Sequence, residues 1–337
     1  MIKIAVDTMG GDYAPEEIIK GAIMAAQKGD AELLLVGPVE VIDKELAKYN
    51  ISHLPISRVK ADGAIKEGES PAFAIRRNPD ASIAVATKLV KAGTADALVS
   101  AGSTGATSAS AITILGMLPG LKRPTVCVPL IGLAPNTVLV DGGANIDCKP
   151  HHMLSFAIIG CVYAKKLLNI ARPKVALLSI GVEAGKGTRL IRESYQLLKN
   201  SNLDFIGNIE GYDILSEQCN VIVCDGIVGN VLMKFYESMG RYFVGWLKAK
   251  LGNIPLGGSV KKLLDQMISF TAITKTESDG GGLLWGVNGA VHLLHGNSKA
   301  HQVNKTIAKA KHAVEIGLIA SLRTELTTFG SGLPPTG

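Results

Sequence analysis

Aromatic side chains are scarce, only 5% of the 337 residues with two tryptophans among them. Platforms on which bases could stack are therefore few, no RNA-binding signature is present, and no nucleic-acid partner is expected. Nowhere do about 20 apolar residues follow one another, the length a bilayer span needs. The opening MIKIAVD reaches Asp7 too soon for a signal peptide. Cysteine is also thin: Cys127, Cys148, Cys161, Cys219 and Cys224 are odd in number and lack a CxxC pair or zinc-site spacing. They read as reduced, buried thiols, which suits a cytoplasmic protein. No pair of acids or histidines shares a helix face at ligand spacing, so no metal is expected.

What is there is a chain 47% hydrophobic, long enough for a sizeable core. Short apolar runs alternate with longer helical patterns, which predicts an α/β fold whose sheet is largely parallel and covered on both faces. Strands are expected at 2–7, 32–37, 96–100, 124–130, 136–141, 174–180, 204–207 and 220–224, and another that His295 ends in HLLHGNS. Helices are expected from Pro15 and at 38–49, 81–92, 105–117, 150–169, 187–200 and 298–320. With no linker or repeat in view, residues 1–322 read as a single α/β/α catalytic domain, and 323–337, ending GSGLPPTG, as a disordered tail.

Five glycine-rich stretches fall just after expected strands: TMGGD at 8–12, SAGSTGA at 100–106, DGGAN at 141–145, IGVEAGKG at 180–187 and DGIVGN at 225–230. One such loop is only a turn. Five at strand ends, carrying Asp, Asn, Ser, Thr and Lys, point to a cleft whose backbone N–H groups can receive an anion. Lys186 in GKG is either a solvated turn residue or a cation that approaches a bound phosphate. Nucleotide motifs do not fit: Ile180 stands where a Walker loop needs glycine, Gly187 replaces its Ser or Thr, and GxGxxG is missing after the first strand. No GxSxG elbow offers a serine nucleophile. A cleft of anion cradles without a nucleophile suits a reaction in which phosphate itself attacks, helped by positioning and by oxyanion donors such as Asn145 and Asn230.

The net charge of +6 is uneven. Between Asn230 and Phe270, Lys234, Arg241, Lys248, Lys250, Lys261 and Lys262 outweigh Glu237 and Asp265. The same stretch carries Val231, Leu232, Phe235, Met239, Phe243, Trp246, Leu247 and Leu251 at helical spacing, then GNIPLGGS, then a second apolar set. It reads as a protruding amphipathic helical hairpin over about 230–272. Dimer packing, a membrane-surface anchor and packing on the sheet are all open for its apolar face.

Taken in order, AVDTMGGDYAPE, VSAGSTGA, RPTVCVPL, DGGANIDCKP, LLSIGVEAGKG, FIGNIEGYDI, VIVCDGIVGNVLMK, GGGLLWGVNG and HGNS resemble the PlsX phosphate acyltransferases of bacterial phospholipid synthesis. The likeness runs over about 1–320. It implies a three-layer isocitrate/isopropylmalate dehydrogenase-like and phosphotransacetylase-like fold, a homodimer, and no metal, NAD or other cofactor. It further implies reversible transfer of a fatty acyl group from acyl carrier protein to inorganic phosphate, giving acyl phosphate for a membrane glycerol-3-phosphate acyltransferase. On this reading phosphate is held by Gly10, Gly11 and Asp12, by Ser103, Thr104 and Gly105, and by Lys186. Asn145 and Asn230 steady the oxyanion, and Asp225 or His295 orients phosphate or assists the leaving thiolate. Peripheral attachment to the inner membrane face is a further expectation. The chain departs from the family pattern at Ser103 and Ser179, each in place of Asn, at Val182 in place of Glu, and at Gly142 and Ile227. Two rivals follow: a scaffold of lipid synthesis impaired by these serines, and a metal-dependent hydroxy-acid dehydrogenase on the same fold.

Overall fold

The computed structural model describes residues 1–65, 71–130, 133–251 and 281–329. The chain divides into two compact units, Met1–Pro124 with Asp279–Thr324, and Thr125–Ser278 with Glu325–Gly337. The sequence, lacking a linker, reads as one domain over 1–322. The division is invisible in composition because both units are built from the same alternation of strand and helix.

Along the first unit run β1 (Ile2–Asp7), α1 (Glu16–Ala26), β2 (Ala31–Gly37), α2 (Val39–Leu46), β3 (Ile56–Lys60), α3 (Pro71–Arg77), α4 (Ser82–Lys91), β4 (Ala97–Ser100) and α5 (Thr104–Ser110). The second unit supplies β5 (Thr125–Pro129), β6 (Val138–Val140), α6 (Pro150–Leu167), β7 (Lys174–Leu178), α7 (Arg189–Lys199), β8 (Asp204–Ile209), β9 (Val221–Val223) and α8 (Gly226–Leu251). The chain then returns to the first unit with β10 (Gly282–Trp285), β11 (Ala290–Leu293), α9 (Ala300–Glu315) and the start of α10 (Leu318–Phe329).

In the first unit the strand order is β3-β2-β1-β4-β11-β10, parallel except for the β10/β11 pair. Neighbouring residues of a strand point to opposite faces. Ile4 and Ala5 are nevertheless both fully buried, as are Leu35 and Val36, so both faces are covered. One face packs Ala5, Val36, Leu98 and Val291 against Ile83, Ala84 and Ala86 of α4. On α1, Gly21 lets α9 come close, since a Cβ there would lie 2.5 Å from Val303 Cβ.

The second unit repeats the plan with the order β5-β6-β9-β7-β8, parallel except for β5/β6. One face packs Leu139, Ala176 and Ile222 against Leu232 and Met233 of α8. Beneath the other, Gly160 of α6 sits so close that a Cβ would lie 2.3 Å from Val221 Cγ1. Together these are the mostly parallel, mixed α/β sheets with flanking helices that the alternation of strand and helix implies.

Several boundaries move. The short strands β3 and β10 and helix α3 are absent from the expected elements, whereas β11 is the strand expected in HLLHGNS, ending two residues before His295; β10 and β11 have four residues each around the tight turn at Gly286, φ 95°. Expected helix 298–320 is two helices, because Gly317 takes φ 61° and ends α9 with a left-handed residue. Residues 323–329, assigned to the tail, instead continue α10, whose Leu322 and Leu326 are buried. Residues 330–337 lie outside the described residues. So does the second half of the expected hairpin; its first half is α8, an unbroken helix from Gly226 to Leu251.

Candidate active site

A cavity of about 450 Å³ opens at the carboxyl ends of β1, β4 and β11 in the first unit. Its walls are the loops after those strands, with Gly10, Gly11 and Asp12, then Gly102, Ser103 and Thr104, then His295 and Gly296, joined by Ser82 at the start of α4. Glycine is required where the first two loops meet. A Cβ on Gly10 would stand 2.5 Å from Gly102 N and 2.7 Å from Asp7 Oδ2.

That carboxylate is the buried pole of the cavity. Asp7 Oδ2 accepts a 2.7 Å bond from Ser100 Oγ, and Oδ1 accepts from Met9 N at 3.3 Å. Ser100 Oγ in turn accepts from Gly102 N at 3.0 Å, which ties the two loops together. Burial pushes the Asp7 pKa up, and neighbouring Ser82, Ser100 and the Met9 and Gly10 amides oppose the rise in part. The Ser82 hydroxyl stands beside the carboxyl without reaching hydrogen-bond geometry; its Oγ is sealed from solvent and has no partner. The cavity lining among the described residues holds two aspartates and one histidine, and neither lysine nor arginine. What this described lining offers an anion is N–H and O–H donors.

Ser103 answers for its own substitution. It is the N-cap of α5, its Oγ accepting from Ala106 N at 3.2 Å. Ser and Asn rank alike as N-caps, so this role survives the exchange. Thr104 and Gly105 occupy the first turn, where N–H groups have no acceptor within the helix. Gly105 lies against Pro71, where a Cβ would come 3.0 Å from its Cγ.

In the second unit the centre is Asp141, which is completely buried. Its Oδ1 accepts from Val126 N at 3.1 Å, Gly143 N at 3.3 Å and Ala144 N at 3.2 Å. Its Oδ2 accepts from Asn145 N at 2.7 Å and Asn145 Nδ2 at 2.9 Å. The Asn145 carboxamide is thus partly committed to Asp141 and is itself only 4% exposed. Asp225 caps α8, its Oδ1 accepting from Ile227 N at 2.9 Å and Val228 N at 3.0 Å. The two glycines of DGIVGN serve close packing: a Cβ on Gly229 would lie 1.8 Å from Asp141 O, and one on Gly226 2.4 Å from Asn145 O. Asn230 is exposed and adjoins Gly143. Lys186 is exposed at the crest of a turn closed by its own N–H on Glu183 O, 3.0 Å, and has no ion pair among the described residues.

The structure therefore gathers Gly10, Gly11, Asp12, Ser103, Thr104 and His295 around one cavity of the first unit, with Gly105 just behind it. It gathers Asn145, Asp225 and Asn230 in the second, where Gly226 N donates to Asn145 O at 2.9 Å. Asp7, Ser82 and Asp141 escaped the sequence reading. Asp7 and Asp141 each sit at the end of a strand, immediately before or within a glycine loop, and that placement was the available signal. Ser82 carried none. Among the described residues no three His, Cys, Asp or Glu side chains converge as metal ligands would, and no helix is long and apolar enough to cross a membrane.

This fold is shared with solved acyl-group transferases. A phosphotransacetylase from Streptococcus pyogenes superposes with a TM-score of 0.64 at 20% identity, over 93% of this chain and 94% of that one. The EutD phosphotransacetylase from Staphylococcus aureus gives 0.58 at 18% identity, over 92% and 94%. At the level of sequence, the model of the fatty acid synthesis protein family matches residues 2–321. A phosphate acyltransferase from Desulforamulus reducens is 43% identical over 326 residues, 97% of this chain and 98% of the relative. Another, from Thermosynechococcus vestitus, is 43% identical over 329 residues, 93% and 92% of the two chains. The chain belongs to this fatty acid synthesis protein family, the PlsX phosphate acyltransferases whose motifs it carries, and is a transferase.

Proposed function

We propose that the protein transfers a fatty acyl group from acyl carrier protein to inorganic phosphate, yielding acyl phosphate for phospholipid synthesis. The observation that carries this reading is the cavity at the ends of β1, β4 and β11, walled by glycine loops, hydroxyls and first-turn amides, in a chain related over 97% of its length to a phosphate acyltransferase. A phosphate oxygen attacks the thioester carbonyl carbon; the carbonyl electrons move to oxygen; when they return, the C–S bond breaks and the carrier thiolate leaves to be protonated. Phosphate is already partly dianionic at neutral pH and needs alignment more than a strong base. Gly10, Gly11, Asp12, Ser103, Thr104 and Gly105 hold it through main-chain N–H groups and hydroxyls, and His295, which lines the cavity, protonates the departing thiolate. Lys186, Asn145 and Asn230 take part on the strength of the family motifs, Lys186 as a cation and the asparagines as oxyanion donors. Asp225 acts through its hold on the first turn of α8.

The protein works at the cytoplasmic face of the membrane as a homodimer, its two units serving one catalytic activity. Support comes from α8, which exposes Val231, Phe235, Met239, Tyr242, Phe243 and Trp246 at helical spacing. Palmitoyl-loaded acyl carrier protein incubated with the enzyme and phosphate should release free carrier and acyl phosphate. Carrier release that ignores phosphate would sink the reading.

A further inference from the structure

Among the described residues, the Asp7 carboxyl has no counter-cation in its cavity. What faces it there are the hydroxyls of Ser82 and Ser100, the Gly10 and Gly102 backbone and, farther out, Asp12 and His295 at the rim. A buried carboxylate is a poor neighbour for an anion unless a proton lies between them. Hydrogen phosphate brings that proton on its own P–O–H. Sulfate, of the same shape and charge, is fully deprotonated near neutral pH and brings none. The sealed Ser82 Oγ, unpartnered and 1% exposed for its residue, adds a donor to an anion's remaining oxygens at the same spot.

Resting on the phosphate reading above, we propose that Asp7 is a specificity-determining residue: it accepts the P–O–H hydrogen bond of the bound oxyanion, so that the cavity admits hydrogen phosphate and its protonated analogue arsenate and refuses sulfate. No covalent step is involved; one proton is shared between an oxyanion oxygen and an Asp7 oxygen. A site built to receive a substrate hydroxyl leaves its own group unpaired when the hydroxyl is missing, and this makes rejection strong. The expected discrimination of phosphate over sulfate is about 100-fold at about pH 8. It shrinks as the medium is acidified through the Asp7 titration, because the protein then supplies the proton that sulfate lacks.

The test is equilibrium binding of inorganic phosphate, arsenate and sulfate to the full-length protein by calorimetry, for the wild type and for Asp7→Asn and Ser82→Ala. Wild type should bind phosphate and arsenate alike and sulfate about 100-fold more weakly; Asp7→Asn should lose most of that ratio, while Ser82→Ala should weaken both anions together. Sulfate binding as tight as arsenate in the wild type, an unchanged ratio in Asp7→Asn, or no phosphate binding at all would overturn the proposal. If Asp7→Asn does not fold, the wild-type ratio and its fall at acidic pH decide. Acyl transfer is measured separately: selective binding without phosphate-dependent turnover upholds Asp7 and removes the acyltransferase reading, whereas turnover that sulfate inhibits as well as arsenate does the reverse.

Discussion

The two units share a strand plan, yet they treat the aspartate at a strand end in opposite ways. In the second unit Asp141 is saturated by four backbone N–H groups and one carboxamide, and it organises the loop that carries Asn145. In the first, Asp7 receives fewer bonds, sits beside an unpartnered serine and borders open volume. A glycine-rich loop after a strand is therefore not a fixed device. Satisfied internally, its carboxylate becomes a structural pin; left short of donors beside a cavity, it becomes a place where a ligand can complete the bonding.

The sharpest way to break this contrast is Asp141→Ala. Four backbone N–H groups and one carboxamide lose their acceptor, and the loss of a buried hub should cost about 3–5 kcal/mol, read as a lower urea midpoint. A midpoint unmoved by the change would mean that Asp141 pins nothing. Next comes Lys186→Ala, which removes an exposed cation whose stem lies along Gly181. The KM for phosphate should rise about 10- to 100-fold with kcat less affected, and an unchanged KM would take Lys186 out of phosphate binding.

Acidity separates two buried groups of the first unit. His292 on β11 is depressed to about 3 by burial and by Lys309. Its folded pKa lies below its unfolded value, so the neutral ring contributes stability above about pH 6.5 that is withdrawn as pH falls toward 3. Between about pH 6.5 and 5 the loss should reach about 2 kcal/mol. His292→Leu should flatten that acid limb in melts taken across this range; an identical slope would contradict it. Asp7 has the opposite sign. Its pKa is raised, so its contribution is fully present below the ordinary carboxyl range and is lost as pH rises through the folded value.

Smaller effects test the caps. Asp225→Ala removes the acceptor for two first-turn amides of α8 and should cost about 1 kcal/mol, with faster amide exchange confined to residues 226–229. Ser103→Asn should change stability by less than about 0.5 kcal/mol and leave turnover intact, since either residue caps α5. A large gain in activity would show that the family's asparagine does more than cap.

Much of this was legible in the sequence because strands and helices leave periodic traces. IKIAVD, ELLLVG and the helix at 150–167 stand close to where their patterns put them. The four-residue strand β10 was not, since GGGLLWGVNG reads as turn chemistry before it reads as pairing. Glycine itself was ambiguous. In SAGSTGA and MGGD it does open a cavity, but in DGIVGN Gly226 and Gly229 let α8 press against the 141–145 loop, and a sequence cannot tell space for a ligand from space for a carbonyl. Asp225 followed by helical residues carried the N-cap signature outright; the family motif drew attention to its chemistry instead.

Helix α8 joins two of these themes in one rod. Its first turn is clamped to the Asp141 loop by Gly226 and Gly229, and its far turns expose Tyr242, Phe243 and Trp246. From Asn230 to Trp246 is about 24 Å of unbroken helix. A body that grips the distal aromatics holds a lever whose short end carries Asn230, so attachment and the asparagine's placement cannot be varied independently.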